Sequence, residues 1–226
     1  MKNKIGSFLL ILLCLSCGTS ATADERERVY VVTPLSVGLT PSLKFPSATD
    51  VSVYGLQAGV VLCDLKDTRG TSVYGVGIGL VGMNDHQVTG LQFSGLGHYA
   101  NALNGFQVAG LANLSPDVKG IQIACGFNLN LSLDVSGGYK PPTQMSGIQI
   151  AGLGNAAKKL DGMQVAAFNG ATEMAGVQVG LFNASKNLHG VQIGLLNFAM
   201  EELQGVQIGL LNRKKDFYFP GLMFGW

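Results

Sequence analysis

The residue types capable of chemistry are few in this chain, and none stands at a spacing that assembles a reaction. Gly77-Ile78-Gly79-Leu80-Val81-Gly82 spells G-x-G-x-x-G, but that fingerprint grips a pyrophosphate only where a strand runs into a helix whose N-terminus faces the phosphates. Here the glycines belong to a strand repeat, so no cofactor is expected. The three histidines, His86, His98 and His189, lie far apart with no HExxH or paired-cysteine spacing. They read as solvated turn residues, and no metal site is expected. No serine sits in a G-x-S-x-G elbow, since Ser94 follows Gln92-Phe93 and precedes Gly95 directly. The nearest carboxylate pairs, Asp64 with Asp67 and Glu201 with Glu202, fall in segments read as turns, where solvent keeps pKa values ordinary. The expectation is a chain with no catalytic residue that is not an enzyme. An enzyme of envelope lipids is the remote alternative.

Two features could bind rather than react. The stretch from Asn128 to Met145 holds Tyr139 and Pro141-Pro142, and loops longer than about 12 residues are commonly functional. Its plain alternative is an insertion between repeats. The other feature is a column of amides: Gln107, Gln122, Gln149, Gln164, Gln178, Gln192 and Gln207 occupy one repeated position, with Gly or Ala two residues later. Stacked strands would align them into a ladder whose amides satisfy one another. The functional alternative is a polar groove or lumen that takes a sugar or lipid headgroup.

The element that positions these residues is a repeat. Gly190-Val191-Gln192-Ile193-Gly194-Leu195-Leu196-Asn197 recurs at Gly205–Asn212 and, slightly changed, at Gly176–Asn183, with weaker copies opening at Gly162, Gly147, Gly120, Gly105, Gly90, Gly75 and Gly55. The steps between these glycines are 14 or 15 residues, apart from 20 after Gly55 and 27 after Gly120. Within a unit, Val191, Ile193 and Leu195 alternate with Gly190, Gln192 and Gly194, and a period of two means strand. Asn at the end of the motif reads as a turn residue. Polar segments such as Ala184-Ser185-Lys186-Asn187 and Ala199-Met200-Glu201-Glu202 read as the turns between strands.

The first residues predict a secretory leader: Lys2 and Lys4, an apolar run from Ile5 to Leu15, then Ala21-Thr22-Ala23 as an A-x-A cleavage site. This gives a signal peptide over 1–23 and a single β-repeat domain over 24–226. A lipidated Cys17 is the competing reading, with Cys14 where such a motif wants leucine. The leader carries two of the fifteen basic residues and none of the fourteen acidic ones, so the remainder is close to neutral. That excludes the basic stripe of a nucleic-acid binder, the one cluster, Arg213-Lys214-Lys215, reading as a solvated turn. Hydrophobic residues make up 47% and charged ones only 13%, with 32 glycines, where a soluble globule carries about twice that charge. Cys63 and Cys125 remain beyond the leader, and sequence alone leaves open whether they pair.

Two architectures fit an all-β chain of this kind. An outer-membrane-type β-barrel is the first, with about twelve strand-like segments and an aromatic C-terminal strand ending on Trp226, which resembles a barrel-insertion signal. The three aliphatics per strand are few for a bilayer crossing of about 9–11 residues, and the near-identical connections favour translation over reversal. The second architecture is therefore a β-solenoid with one 14- or 15-residue coil per repeat. In it Val191, Ile193 and the late leucines Leu160, Leu188 and Leu203 stack inward, Leu129 to Met145 loops out, and the C-terminal aromatics form a cap.

The GVQIGLLN units resemble a family of bacterial surface repeat-containing proteins built of tandem Gly-apolar-Gln-apolar-Gly-Leu-x-Asn motifs. The likeness extends to Thr40-Pro41, Phe45-Pro46, Val53-Tyr54-Gly55-Leu56 and Val73-Tyr74-Gly75-Val76, and to the closing strand Phe217 to Trp226. The chain departs from the pattern at Ala166-Ala167, where Gly-Leu is usual, and at the insertion bearing Tyr139. The resemblance implies an exported protein of the outer membrane or cell surface, or alternatively the periplasm or medium, without an established reaction. The expected role is structural or interactive, toward outer-membrane lipid or other envelope components. Its alternative is a small passive pore lined by the glutamines.

Overall fold

The computed structural model describes residues 20–24, 28–40, 43–47, 50–62, 71–131 and 143–225. The leader's apolar run, the segment with Cys63, Asp64 and Asp67, and the loop residues Tyr139, Pro141 and Pro142 lie outside them. Among the described residues, alternating apolar and small side chains give fifteen strands in one sheet. The first five are β1 (Ser20–Asp24), β2 (Arg28–Thr40), β3 (Leu43–Phe45), β4 (Asp50–Leu62) and β5 (Ser72–Ser94). There follow β6 (Gly97–Ala109), β7 (Ala112–Leu114), β8 (Asp117–Ala124), β9 (Phe127–Asn130) and β10 (Gln144–Ala151). The last are β11 (Gly154–Val165), β12 (Phe168–Val179), β13 (Phe182–Ile193), β14 (Leu196–Lys214) and β15 (Phe217–Gly225).

The pairing corrects the barrel. Successive repeats pair in parallel and in register, Gly147 with Gly162, Gly162 with Gly176, Gly176 with Gly190 and Gly190 with Gly205, whereas an up-and-down barrel requires antiparallel neighbours. Parallel in-register repeats one coil apart make a β-solenoid, the alternative architecture. Antiparallel strands close its two ends, β1 on β2 and β15 on β14. The C-terminal aromatics thus form the expected cap, and Pro220 sits in that outermost strand, where a missing donor costs little. The 27-residue step interrupts nothing, because β10 resumes the register of β8 with Gly147 beside Gly120.

Two expectations about sidedness are corrected. The glutamines face inward and are buried, whereas Val191 is half-buried and Ile193 is 41% exposed. Of the residues expected inside, only Leu160, Leu188 and Leu203 are there, at the place two residues before each glycine. That apolar column runs through Val88, Leu103, Val118, Met145 and Met174 and is closed by Met223. The segments read as turns are strand: Ala184 to Asn187 lies within β13 and Ala199 to Glu202 within β14. Direction changes instead at two-residue bends such as Gly180-Leu181 and Gly194-Leu195.

Glycine at the motif start is forced twice over. Gly176 and Gly190 have φ of 138° and 144°, a region open to glycine alone. A Cβ on either would run into the carbonyl oxygen of the equivalent glycine one coil before. The second glycine makes room for a side chain, since a Cβ on Gly194 would meet Asn183 Nδ2 at 2.6 Å.

Candidate functional site

The sequence-derived candidate site is the glutamine column, and the structure places it in the interior. Each Gln Nε2 donates to the Oε1 of the glutamine one coil toward the N-terminus: Gln207 to Gln192 at 2.7 Å, Gln178 to Gln164 at 2.9 Å, Gln149 to Gln122 at 3.0 Å and Gln107 to Gln92 at 2.8 Å. All are buried. The amides satisfy one another, as the plain reading of the column expects, and chains of such bonds polarise and strengthen each other. The ladder's start is bare, with Gln207 Oε1 lacking a partner among the described residues.

The N-terminal end of the ladder is a carboxylate. One coil before Gln92 the glutamine position is Gly77, where a Cβ would press on Gln92 Cγ at 3.2 Å. Asp85 fills the gap, its Oδ2 accepting from Gln92 Nε2 at 2.6 Å and its Oδ1 from Gln57 Nε2 at 3.1 Å. Burial pushes its pKa up to about 7, against the two amide donors and the Lys44 charge, which favour the anion. Asp85 is held in a sealed interior rather than at a cleft, so its shifted pKa is a property of packing.

A second ladder escaped the sequence reading. Asn113, Asn128, Asn155, Asn169, Asn183, Asn197 and Asn212, read as turn residues, are buried, the Nδ2 of the first six each donating to the next Oδ1 toward the C-terminus at 2.8–3.0 Å. Each also donates to a backbone carbonyl, as Asn183 does to Ile193 O at 2.9 Å, and because a carbonyl only accepts, this fixes the amide orientation. The two ladders therefore run in opposite directions, and their dipoles oppose. In the sequence this column stands eight residues after the first glycine at Asn113, Asn128 and Asn155 and seven after it at Asn169, Asn183, Asn197 and Asn212, a looser mark than the constant two-residue offset of the glutamines.

His98 occupies the asparagine position one coil before Asn113. It is 2% exposed, which corrects its reading as a solvated turn residue. Its Nε2 donates to Val108 O at 3.2 Å, the bond that every asparagine in the column makes, while its Nδ1 and Asn113 Oδ1 both lack partners. Burial pulls its pKa down to about 4, opposed by the bond to Val108. His86 and His189 are exposed but lie in β5 and β13, not in turns.

Outside, each coil has two unlike stretches. The residues flanking each glutamine are aliphatic or aromatic and open to solvent, for example Ile150, Ile193 and Ile208, with Phe168 stacked on Phe182 at 5.0 Å between centroids. The stretch before the first glycine carries most of the charge in the later coils: Lys159, Asp161, Glu173, His189 and Glu202 line a shallow groove. Lys186 pairs with Glu201 at 3.1 Å and His189 stands 4.0 Å from Glu202, exposed pairs worth well under about 1 kcal/mol. Gly77 to Gly82 runs inside β5, away from any helix. Among the described residues no group of three His, Cys, Asp or Glu side chains could hold a metal ion, and Cys125 is a free, exposed thiol. Nothing among protein-family models, curated proteins or solved structures matches this chain.

Proposed function

We propose that this chain is a non-enzymatic repeat protein of a bacterial surface or outer envelope. The solenoid is a rigid scaffold, and its outer faces contact envelope lipid, glycan or surface protein. The observation that carries this reading is the sealed interior: the glutamine and asparagine ladders use their amides on each other, which leaves contact to the outside of the coils. The shifted groups Asp85 and His98 lie inside that sealed interior, and the exposed carboxylates Glu201 and Glu202 sit in solvent beside Lys186 and His189. The leader reading and the resemblance of the GVQIGLLN units supply the envelope location. Protease treatment of intact cells with fractionation tests it: loss of the protein from whole cells and recovery in the envelope fraction are expected, and recovery from the cytosol alone would overturn the reading. A passive pore calls for an open lumen where the glutamines sit, and the scaffold reading expects no conductance in a planar bilayer.

A further inference from the structure

From Leu56 to Ile208 every coil turns a stripe of apolar side chains outward, running from the residue after its first glycine to the bend. Over ten coils that stripe contains no Asp, Glu, Lys or Arg. Coils about 4.8 Å apart and a stripe of five or six residues give a face roughly 43 Å by 17 Å, on the order of 700 Å². The largest apolar patch of an ordinary monomer is about 300–600 Å², whereas one partner of a standard interface buries about 800 Å². Leu222 and Phe224 of β15, paired with Ile208 and Val206, extend the stripe by one more strand.

We propose that this face pairs with the same face of a second copy, the two stacks running antiparallel about a two-fold axis. The proposal deepens the interaction reading above and rests on it. The edge of the stripe favours protein over lipid, since the residues just before the glycines include Asn104, Lys119, Ser146, Asp161, Ala175 and His189. That edge lacks the cationic excess which draws a protein to anionic headgroups. The distribution of sizes sets the direction. With the axis between the coils of Gly120 and Gly147, the coil bearing Phe93 meets the coil bearing Val177 and Val179, and Ile123 meets Ile150. The bulky Phe93 then faces valines rather than its own copy. A parallel pairing would set Phe93 on Phe93 and leave gaps between valines, against the close packing that interfaces share with interiors.

Sedimentation velocity of the purified protein is the test, with a dimer expected at about 10 μM. Ile150→Lys, exposed in the single chain, is expected to weaken the dimer by at least about 100-fold with the far-UV spectrum unchanged. Mixing it with Ile123→Glu is expected to restore a mixed dimer, because antiparallel pairing places these positions opposite each other. A wild-type monomer, or a dimer indifferent to Ile150→Lys, would overturn the proposal, and failure of the charge pair to restore would overturn the antiparallel arrangement. A monomer that floats with phosphatidylcholine vesicles would give the face to lipid instead, removing the second copy while leaving the interaction role standing.

Discussion

A buried amide in a ladder has two obligations, and its value depends on whether both are met. Gln164 donates to Gln149 and accepts from Gln178, so Gln164→Leu orphans a group on either side and should cost about 2–5 kcal/mol. Gln207→Leu removes an Oε1 that already lacks a partner and, within the ladder, orphans only Gln192 Oε1, so it should cost at least about 1 kcal/mol less. Urea unfolding of the two variants checks the order, and equal costs would mean the ladder is not formed. Asp85 and His98 act in opposite senses with pH. Asp85 has a raised folded pKa, so its contribution is present near pH 4 and is lost as pH rises to about 7; His98 has a lowered one, so its contribution is present above pH 6.5 and is lost as pH falls to about 4. Asp85→Asn should therefore leave stability rising with pH across that window, and His98→Asn should leave it falling. The second variant also gives Asn113 Oδ1 the donor it lacks. Unfolding midpoints between about pH 4 and 7 read both slopes, and slopes of the same sign would refute the assignment. Neither group was legible beforehand, since burial comes from stacking; His98 stands eight residues after Gly90 as Asn113 does after Gly105, but only the strand pairing makes the two neighbours.

At the scale of the strand, the period of two was legible and its direction was not. Alternation separates Val191 and Ile193 from Gln192 and Gly194, and ordinary partition of apolar from polar side chains points the aliphatics inward. The coil reverses this because it is thin. Gly190 packs against the carbonyl of Gly176, and Gly194 against the Asn183 amide, so the side with least bulk goes inside, and glutamines fit there by bonding along the axis. Strand pairing also explains why the polar segments are not turns: Lys186 and Met200 are exposed beside Ser185 and Ala199, which are buried, and a bulge there adds Glu201 to β14. Glycine substitutions measure this crowding. Gly176→Ala drives a Cβ into the carbonyl oxygen of Gly162 at φ 138° and should cost about 3 kcal/mol or more. Gly221 has φ 84° and open space around it, so Gly221→Ala should cost only about 1 kcal/mol. Thermal melts of the pair separate crowding from backbone preference, and similar losses would speak against the stacked register.

Across the whole molecule, contact falls between neighbouring coils, as expected of a repeat whose stability sums over units and their interfaces. The even steps of 14 and 15 residues made the repeat readable, but they are shared by strands that reverse and strands that advance, and counting strands chose the wrong one. The near-identical connections carried the better signal, because translation reuses one bend while an up-and-down barrel needs two kinds. The direction of neighbouring repeats is thus the central claim, and a disulfide tests it. His189 and Gln204 are exposed register partners on β13 and β14, lying outside the apolar stripe, and parallel neighbours about 4.8 Å apart fall within the reach of a disulfide. The measurement is oxidation of a His189→Cys, Gln204→Cys chain that lacks its other cysteines, with peptides mapped after cleavage at Glu201 and Glu202. A near-complete link between these two positions within one chain is the predicted result. No link, with both thiols free to react in the folded protein, would place the repeats antiparallel and contradict the solenoid.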